Sequence, residues 1–338
     1  MEPQSNTLKV VHLTPCALTL DATREKKTLD FGSGGLVCSI SSLGEVISIS
    51  AYHPQHGIVV VNPFAQFPGG DRFWDQAYVR MYRRKFLDCF HARGSGFGLK
   101  LSGEIRNLRV GYVDGQWPRI NYNVNGIDVE SSFVITAGPD ASIINSVILF
   151  NKDRKERTVE IDFGGKVSVN RASYGQLTEA GPVPIPPCLN RLCYRNGVLS
   201  IHNPNLPATF ETALYAESGR ISLDGSIEES SEPIDIAHTE RITISPWQSQ
   251  EITAVYRLVA DVTDSSLPQQ LNLSSRRSYS LDSGFLYSRE TPSMELECFI
   301  IRRTLDYILS CCCIPIKKDA ICVITDNIAL PLGWHRDN

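Results

Sequence analysis

The residues Pro331-Leu332-Gly333-Trp334-His335-Arg336-Asp337-Asn338 carry the densest chemistry in this chain. A guanidinium beside a carboxylate can grip neighbouring hydroxyls, one group donating and the other accepting. An indole next to them can cover the apolar face of a pyranose ring. Trp334, Arg336 and Asp337 therefore read as sugar-binding residues. A pocket that opens on the last residues of the sequence is mostly missing. The expectation is a chain truncated at the start of a second unit.

A second polar cluster lies earlier. His53 and His56 stand three apart beside Tyr52. Imidazoles at short spacing can chelate a metal, but spacing supplies no third ligand. The alternative is a proline-containing loop that packs both rings on Trp74. Asp71, Arg72, Trp74 and Asp75 follow Gly69-Gly70 and can line a pocket or form an ion pair that pins a loop. Tyr52, His53, His56, Asp71, Arg72 and Trp74 are the candidate pocket of the β region. Glu104, Asp114 and Asp128 offer further carboxylates, with nothing to say which converge. Gly94-Ser95-Gly96-Phe97-Gly98 lacks the lysine and the strand-to-helix context of a phosphate loop, and reads as a flexible turn. No nucleophile elbow is present. No metal and no cofactor are expected.

Composition narrows the classes. The 338 residues are 42% hydrophobic and 21% charged, with a net charge of -4. That excess is acidic, where a nucleic-acid partner calls for a basic one. Arg80, Arg83, Arg84 and Lys85 read as a solvated face. No apolar run approaches a membrane span. The first residues have no basic stretch followed by an apolar one, so no secretory signal is visible and the expected location is the cytoplasm. The ten cysteines include Cys311-Cys312-Cys313, have no Cys-x-x-Cys pair and follow no framework spacing. Buried free thiols in a reducing compartment are expected. Composition does not set the oligomeric state.

These groups must be positioned mainly by strands. Leu36–Ile40 and Glu45–Tyr52 flank Ser42-Leu43-Gly44 and predict a hairpin. Residues 57–61, 105–112, 127–136 and 142–151 are rich in β-branched side chains, with turn signals such as Asn125-Gly126 between them. Both parities of 142–150 are apolar, which predicts a central, covered strand. In 156–163, Val159, Ile161 and Phe163 alternate with Thr158, Glu160 and Asp162, which predicts a half-exposed strand. Gly164-Gly165 reads as a tight turn leading into 166–171. Residues 198–202, 209–216, 221–223 and 251–258 continue the pattern. Residues 72–85 place aromatics at helical spacing, with Asp71 as a cap. Residues 261–292 are polar and read as a linker. Ser293–Cys313 predicts a helix whose apolar stripe is Ile300, Ile301, Thr304, Leu305, Ile308, Leu309 and Cys312, with Arg302, Arg303 and Asp306 off it and Pro315 ending it. The fold class is mainly β: a large antiparallel sandwich over 1–260, the linker, then a helical piece over 293–338.

That layout resembles the glucoamylase-like six-hairpin (α/α)6 glycosidases that carry an N-terminal β-supersandwich. Leu330–Asn338 resembles the start of the catalytic barrel in fungal relatives, and Tyr52–Gly57 with Phe67–Trp74 resembles loops of their sandwich domains. The resemblance implies that Arg336 and Asp337 bind sugar hydroxyls beside the scissile bond, with Trp334 as the platform. It also implies a general acid and base on barrel loops further along, which this sequence does not contain. The expected function is thus the non-catalytic N-terminal portion of a glycoside-hydrolase-like protein, with a carbohydrate or other small molecule as ligand and neither nucleic acid nor membrane as partner. Two alternatives stand beside it: a carbohydrate-binding or barrel-bracing module, and a repurposed cyclase or isomerase of fungal small-molecule pathways. The last would need a closed aromatic cavity holding Tyr52, Trp74 or Trp117.

Overall fold

The computed structural model describes residues 18–19, 28–33, 35–53, 56–63, 96–113, 116–136, 141–171, 186–206, 208–260, 295–317 and 320–323. In chain order the strands are β1 (Leu18–Thr19), β2 (Leu29–Ser33), β3 (Leu36–Ile40), β4 (Val46–His53), β5 (Gly57–Asn62), β6 (Gly98–Leu101), β7 (Ile105–Val113), β8 (Trp117–Val124), β9 (Ile127–Ile135) and β10 (Ile143–Asn151). They continue with β11 (Arg157–Arg171), β12 (Asn190–Arg195), β13 (Val198–Asn203), β14 (Ala208–Ala216), β15 (Gly219–Ile221), β16 (Glu228–Ser230), β17 (Ile234–Ile244) and β18 (Ser249–Ala260). Helix α1 (Glu295–Tyr307) runs into a π-helical turn (Ile308–Cys312), then the small hairpin β19 (Cys313–Lys317) and β20 (Ala320–Val323).

Two antiparallel sheets form the sandwich. One has eleven strands in the order β1-β7-β8-β9-β10-β18-β14-β13-β12-β16, with β15 on β14. The other has seven, β17-β11-β5-β4-β3-β2, with β6 on β11. The fold class read from the sequence is the observed one. Asn125-Gly126 and Asn196-Gly197 close two of the hairpins with positive φ at both residues, the geometry that matches strand twist. Strand β10 lies between β9 and β18, as its two apolar parities require. The inner faces meet in one core. Phe97 sits at its centre, with ring centroids 5.2 Å from Phe163, 5.7 Å from Phe210 and 6.1 Å from Tyr256. Burying an aromatic or large aliphatic side chain contributes about 1.5–3 kcal/mol. Phe31, wedged against Trp117 and Phe133, anchors the other end.

Three sequence expectations change. Gly164-Gly165 does not turn the chain. Strand β11 runs straight through it, pairing with β17 from Arg157 to Val167. A Cβ on Gly164 would stand 1.9 Å from the Ile236 carbonyl oxygen, and one on Gly165 2.4 Å from that of Gly96. Both glycines have positive φ, so the pair marks a close crossing of backbones. Likewise Gly96-Phe97-Gly98 is no flexible turn. It is buried, with Phe97 bridging Val46 and the flanking glycines clearing room for Glu45 and Tyr256.

Helix α1 forms near its expected bounds but docks on another face. Ile300, Ile308 and Leu309 are exposed, whereas Asp306, Ser310, Cys311 and Cys312 are buried. The π-helical turn adds a residue to its ring and re-aims the side chains that follow it. Polar contacts then decide the seat. The Arg303 guanidinium lies 4.0 Å over the Tyr112 ring and donates to the Asp30 carbonyl. Ser310 seats its carbonyl on Gly32, which has no side chain to keep it away. Among the described cysteines, Cys38, Cys311 and Cys312 are buried free thiols as expected, while Cys193 is exposed. Pro315 lies in β19, just past the helical end. No helix among the described residues is long and apolar enough to cross a membrane.

Candidate functional site

The glycine crossing makes a hollow on the surface of the seven-stranded sheet. Three strands meet there, and their registers set the chemistry. Strand β6 places Lys100 opposite Asp162, and β17 places Thr239 on the other side of Asp162. Four residues along, Lys166 stands opposite Asp235. Alternation explains the exposure. In β11, Val159, Ile161 and Phe163 point inward, which turns Asp162 and Lys166 outward.

The Asp162 carboxylate is held in place from two sides. Thr239 Oγ1 donates to Oδ1 at 2.8 Å, and Ser102 Oγ donates to Oδ2 at 3.3 Å. Two open clefts, of about 510 and 310 Å³, meet at Lys100 and Asp162, which line both. The larger has a floor of Phe163, Gly164, Gly165 and Ile236 and a rim of Lys166, Asp235 and His238. The smaller is walled by Glu45, Ser102 and Tyr122. His238 Nε2 lies 3.0 Å from Glu240 Oε1 at the lip, a half-buried imidazole–carboxylate couple. A third cleft of about 590 Å³ gathers Glu217, Glu240 and Glu251. No cluster of three or more His, Cys, Asp and Glu arranged to hold a metal occurs among the described residues.

This arrangement can bind a neutral polyhydroxylated molecule. Each lysine faces an aspartate, so the cleft is close to charge-balanced and its donors and acceptors alternate. Hydroxyls are both donors and acceptors and match such a surface, whereas a phosphate needs an excess of cations. The apolar part of the floor, Phe163 and Ile236, could cover the C–H face of a ring.

The residues proposed from sequence divide into described and undescribed ones. Trp334, Arg336, Asp337, Asp71, Arg72 and Trp74 lie outside the described residues. Tyr52 and His53 are at the end of β4 and His56 precedes β5. His53 is buried, and its Nδ1 accepts the His56 backbone N–H at 3.2 Å, with the ring centroids 4.9 Å apart. The pair thus locks its own hairpin. None of the three lines the clefts described above. Glu104 is held below the usual carboxylate range by Arg106. Burial works to raise Asp128, but hydrogen bonds from Lys152 and Asn123 outweigh it and hold the group low. Asp114 is outside the described residues. The sequence did place Asp162 on the polar parity of its strand. A Gly-Gly with alternating apolar strand patterns on both sides, Val159-x-Ile161-x-Phe163 before it and Val167-x-Val169 after it, was the available signal for a crossing, since glycine inside a strand pattern marks a close approach.

No protein-family profile matches the chain, and no curated protein matches it. Among solved structures, the chain is similar to a protein assigned as a kojibiose phosphorylase from the human microbiome, at 7% identity and a TM-score of 0.37. That match covers 72% of this chain and 32% of the other, so the chain spans about a third of that protein's length. It is similar to a protein assigned as an aldose 1-epimerase from Escherichia coli K12, at 11% identity and a TM-score of 0.33, over 69% of this chain and 99% of that one. A 4-alpha-glucanotransferase from Thermococcus litoralis matches at 11% identity and a TM-score of 0.26, over 74% of this chain and 40% of that one.

Proposed function

We propose that this chain is the non-catalytic β-sandwich portion of a glycoside-hydrolase-like protein, and that it binds a neutral carbohydrate in the cleft centred on Lys100 and Asp162. The observation that carries the reading is the charge-balanced row set by strand register: Lys100 against Asp162, with Thr239 buttressing it, and Lys166 against Asp235 above a glycine floor. The exposed side chains of Ile300, Ile308 and Leu309 support a bracing role, because an apolar helix face needs cover from a neighbouring unit. In this reading Trp334, Arg336 and Asp337 begin the sugar site of that unit, as in the fungal glucoamylase type, and the protein works in the cytoplasm without nucleic acid or membrane.

Calorimetric titration of the purified chain with maltose, cellobiose and short glucans tests the cleft. Binding is expected, and Asp162→Ala should weaken it about tenfold, the equivalent of one charge-assisted hydrogen bond. An unchanged affinity in that variant would remove the cleft from the proposal.

The His238–Glu240 couple favours a second reading, a repurposed isomerase or cyclase in which His238 moves a proton. Against it, Trp117 is packed in the core on Phe31 and lines no cavity described here. NMR detection of sugar isomerisation that disappears in His238→Asn would support this second reading over the first.

A further inference from the structure

At one edge of the sandwich, the turn from β17 to β18 holds Trp247 with φ +60 and the side chain 59% exposed. Both features are costly. A bulky residue in the left-handed region is disfavoured where Asn or Gly would fit, and an indole in water gives up its burial. The turn is nevertheless held firmly. The Trp247 N–H donates to the Asn151 carbonyl at 2.9 Å, and the Asn151 N–H donates to the Gln248 carbonyl at 3.0 Å. The Asn151 side chain, fully buried, donates to the carbonyls of Ile244 and Lys155, both at 2.9 Å. Its Oδ1 accepts the Asp153 N–H at 2.9 Å.

The same asparagine therefore fixes a second loop, and that loop presents an ion pair. Arg157 Nε donates to Asp153 Oδ2 at 2.7 Å, with the two side chains 47% and 43% exposed. An exposed indole, a guanidinium and a carboxylate are thus tied to one rigid anchor. We propose that Trp247, Asp153 and Arg157 form a second, shallow carbohydrate site, separate from the Lys100–Asp162 cleft, that takes a neutral pyranose ring of an oligosaccharide. The ring's C–H face stacks on the indole, and its hydroxyls meet the Asp–Arg pair. The surround favours a sugar over a protein partner. Pro246, Gln248, Ser249 and Gln250 flank Trp247 in sequence and no second large apolar residue belongs to the turn, whereas a protein interface needs a wider apolar centre.

The full chain would be titrated with maltoheptaose, cellohexaose and laminarihexaose, following tryptophan emission and heat. At least one should bind. Trp247→Asn should lose about tenfold or more in affinity yet melt about 2 °C higher, because asparagine suits the left-handed turn. Arg157→Gln should weaken binding several-fold. Asp162→Ala should leave this site's emission change intact, which separates its failure from that of the cleft. Absence of binding, equal binding by Trp247→Asn, or a lower melting temperature in that variant each overturns the proposal. Binding of a proline-rich peptide in place of the sugars would do the same.

Discussion

Gly32→Ala is the sharpest probe of how α1 is seated. Gly32 lies in β2 and its φ is not in the left-handed region, so alanine meets no backbone penalty there. The obstacle is steric. A Cβ at Gly32 would stand 2.3 Å from the Ser310 carbonyl oxygen, where real contacts essentially never fall below 3.0 Å. The π-helical turn must therefore withdraw by at least 3.0 minus 2.3, or 0.7 Å. Ser310, Cys311 and Cys312 are the buried residues of that turn, and Arg303 one helical stretch earlier holds Tyr112. Overpacking of this kind costs about 1–3 kcal/mol. If the cost is borne by the turn alone, the open population rises about 5- to 150-fold. Timed alkylation with peptide mapping reads this directly: Cys311 and Cys312 should label faster by that factor while Cys38 and the sandwich stay protected. Labelling of Cys311 at the parent rate would refute the seat. So would a global loss of stability that exposes Cys38 in parallel, because the helix would then be part of the core.

Two further outcomes follow from the same contacts. Burial pushes the Cys311 thiol up to about 12 and, despite the Arg303 cation, the Tyr112 phenol up to about 12. A group whose folded pKa is raised stabilises below its unfolded value and loses that contribution as pH climbs toward the folded one. The α1 seat should therefore hold at pH 8 and weaken between about pH 9 and 12, Cys311 first and Tyr112 from about 10. Tyrosinate absorbance and helix circular dichroism would track it, and a helix that stays docked at pH 12 would contradict the assignment. Separately, Asn151→Ala removes the side-chain bonds that tie the 151–155 and 244–245 loops together. It should cost about 2–4 kcal/mol in chemical denaturation, since each lost bond is worth about 1 kcal/mol and buried carbonyls are left unpaired. A loss below 0.5 kcal/mol would show that the clamp is dispensable.

The sequence by itself determined the strand content and most hairpins. Period-two alternation and Asn-Gly turns are local signals, and local signals survive in one dimension. It put 142–151 in the middle of a sheet, though Ile148 on its outer parity is exposed, and it turned Asp162 outward. It missed β2, β6, β8, β12 and β17 as strands. Trp117–Val124 and Ile234–Ile244 carry many polar residues on their outer parity, which dilutes the apolar signal. Only the tertiary structure decided the rest. Gly164-Gly165 became a crossing because β17 and the Gly96 carbonyl approach within contact distance, and no neighbour in sequence reports that. Lys100, Asp162 and Thr239 come from three strands and meet only through register. Helix α1 turned its polar edge inward because a cation found an aromatic face 191 residues away in sequence, and a carbonyl found a glycine 278 residues away. Hydrophobic periodicity says which face is apolar, and partners elsewhere in the fold say which face is covered.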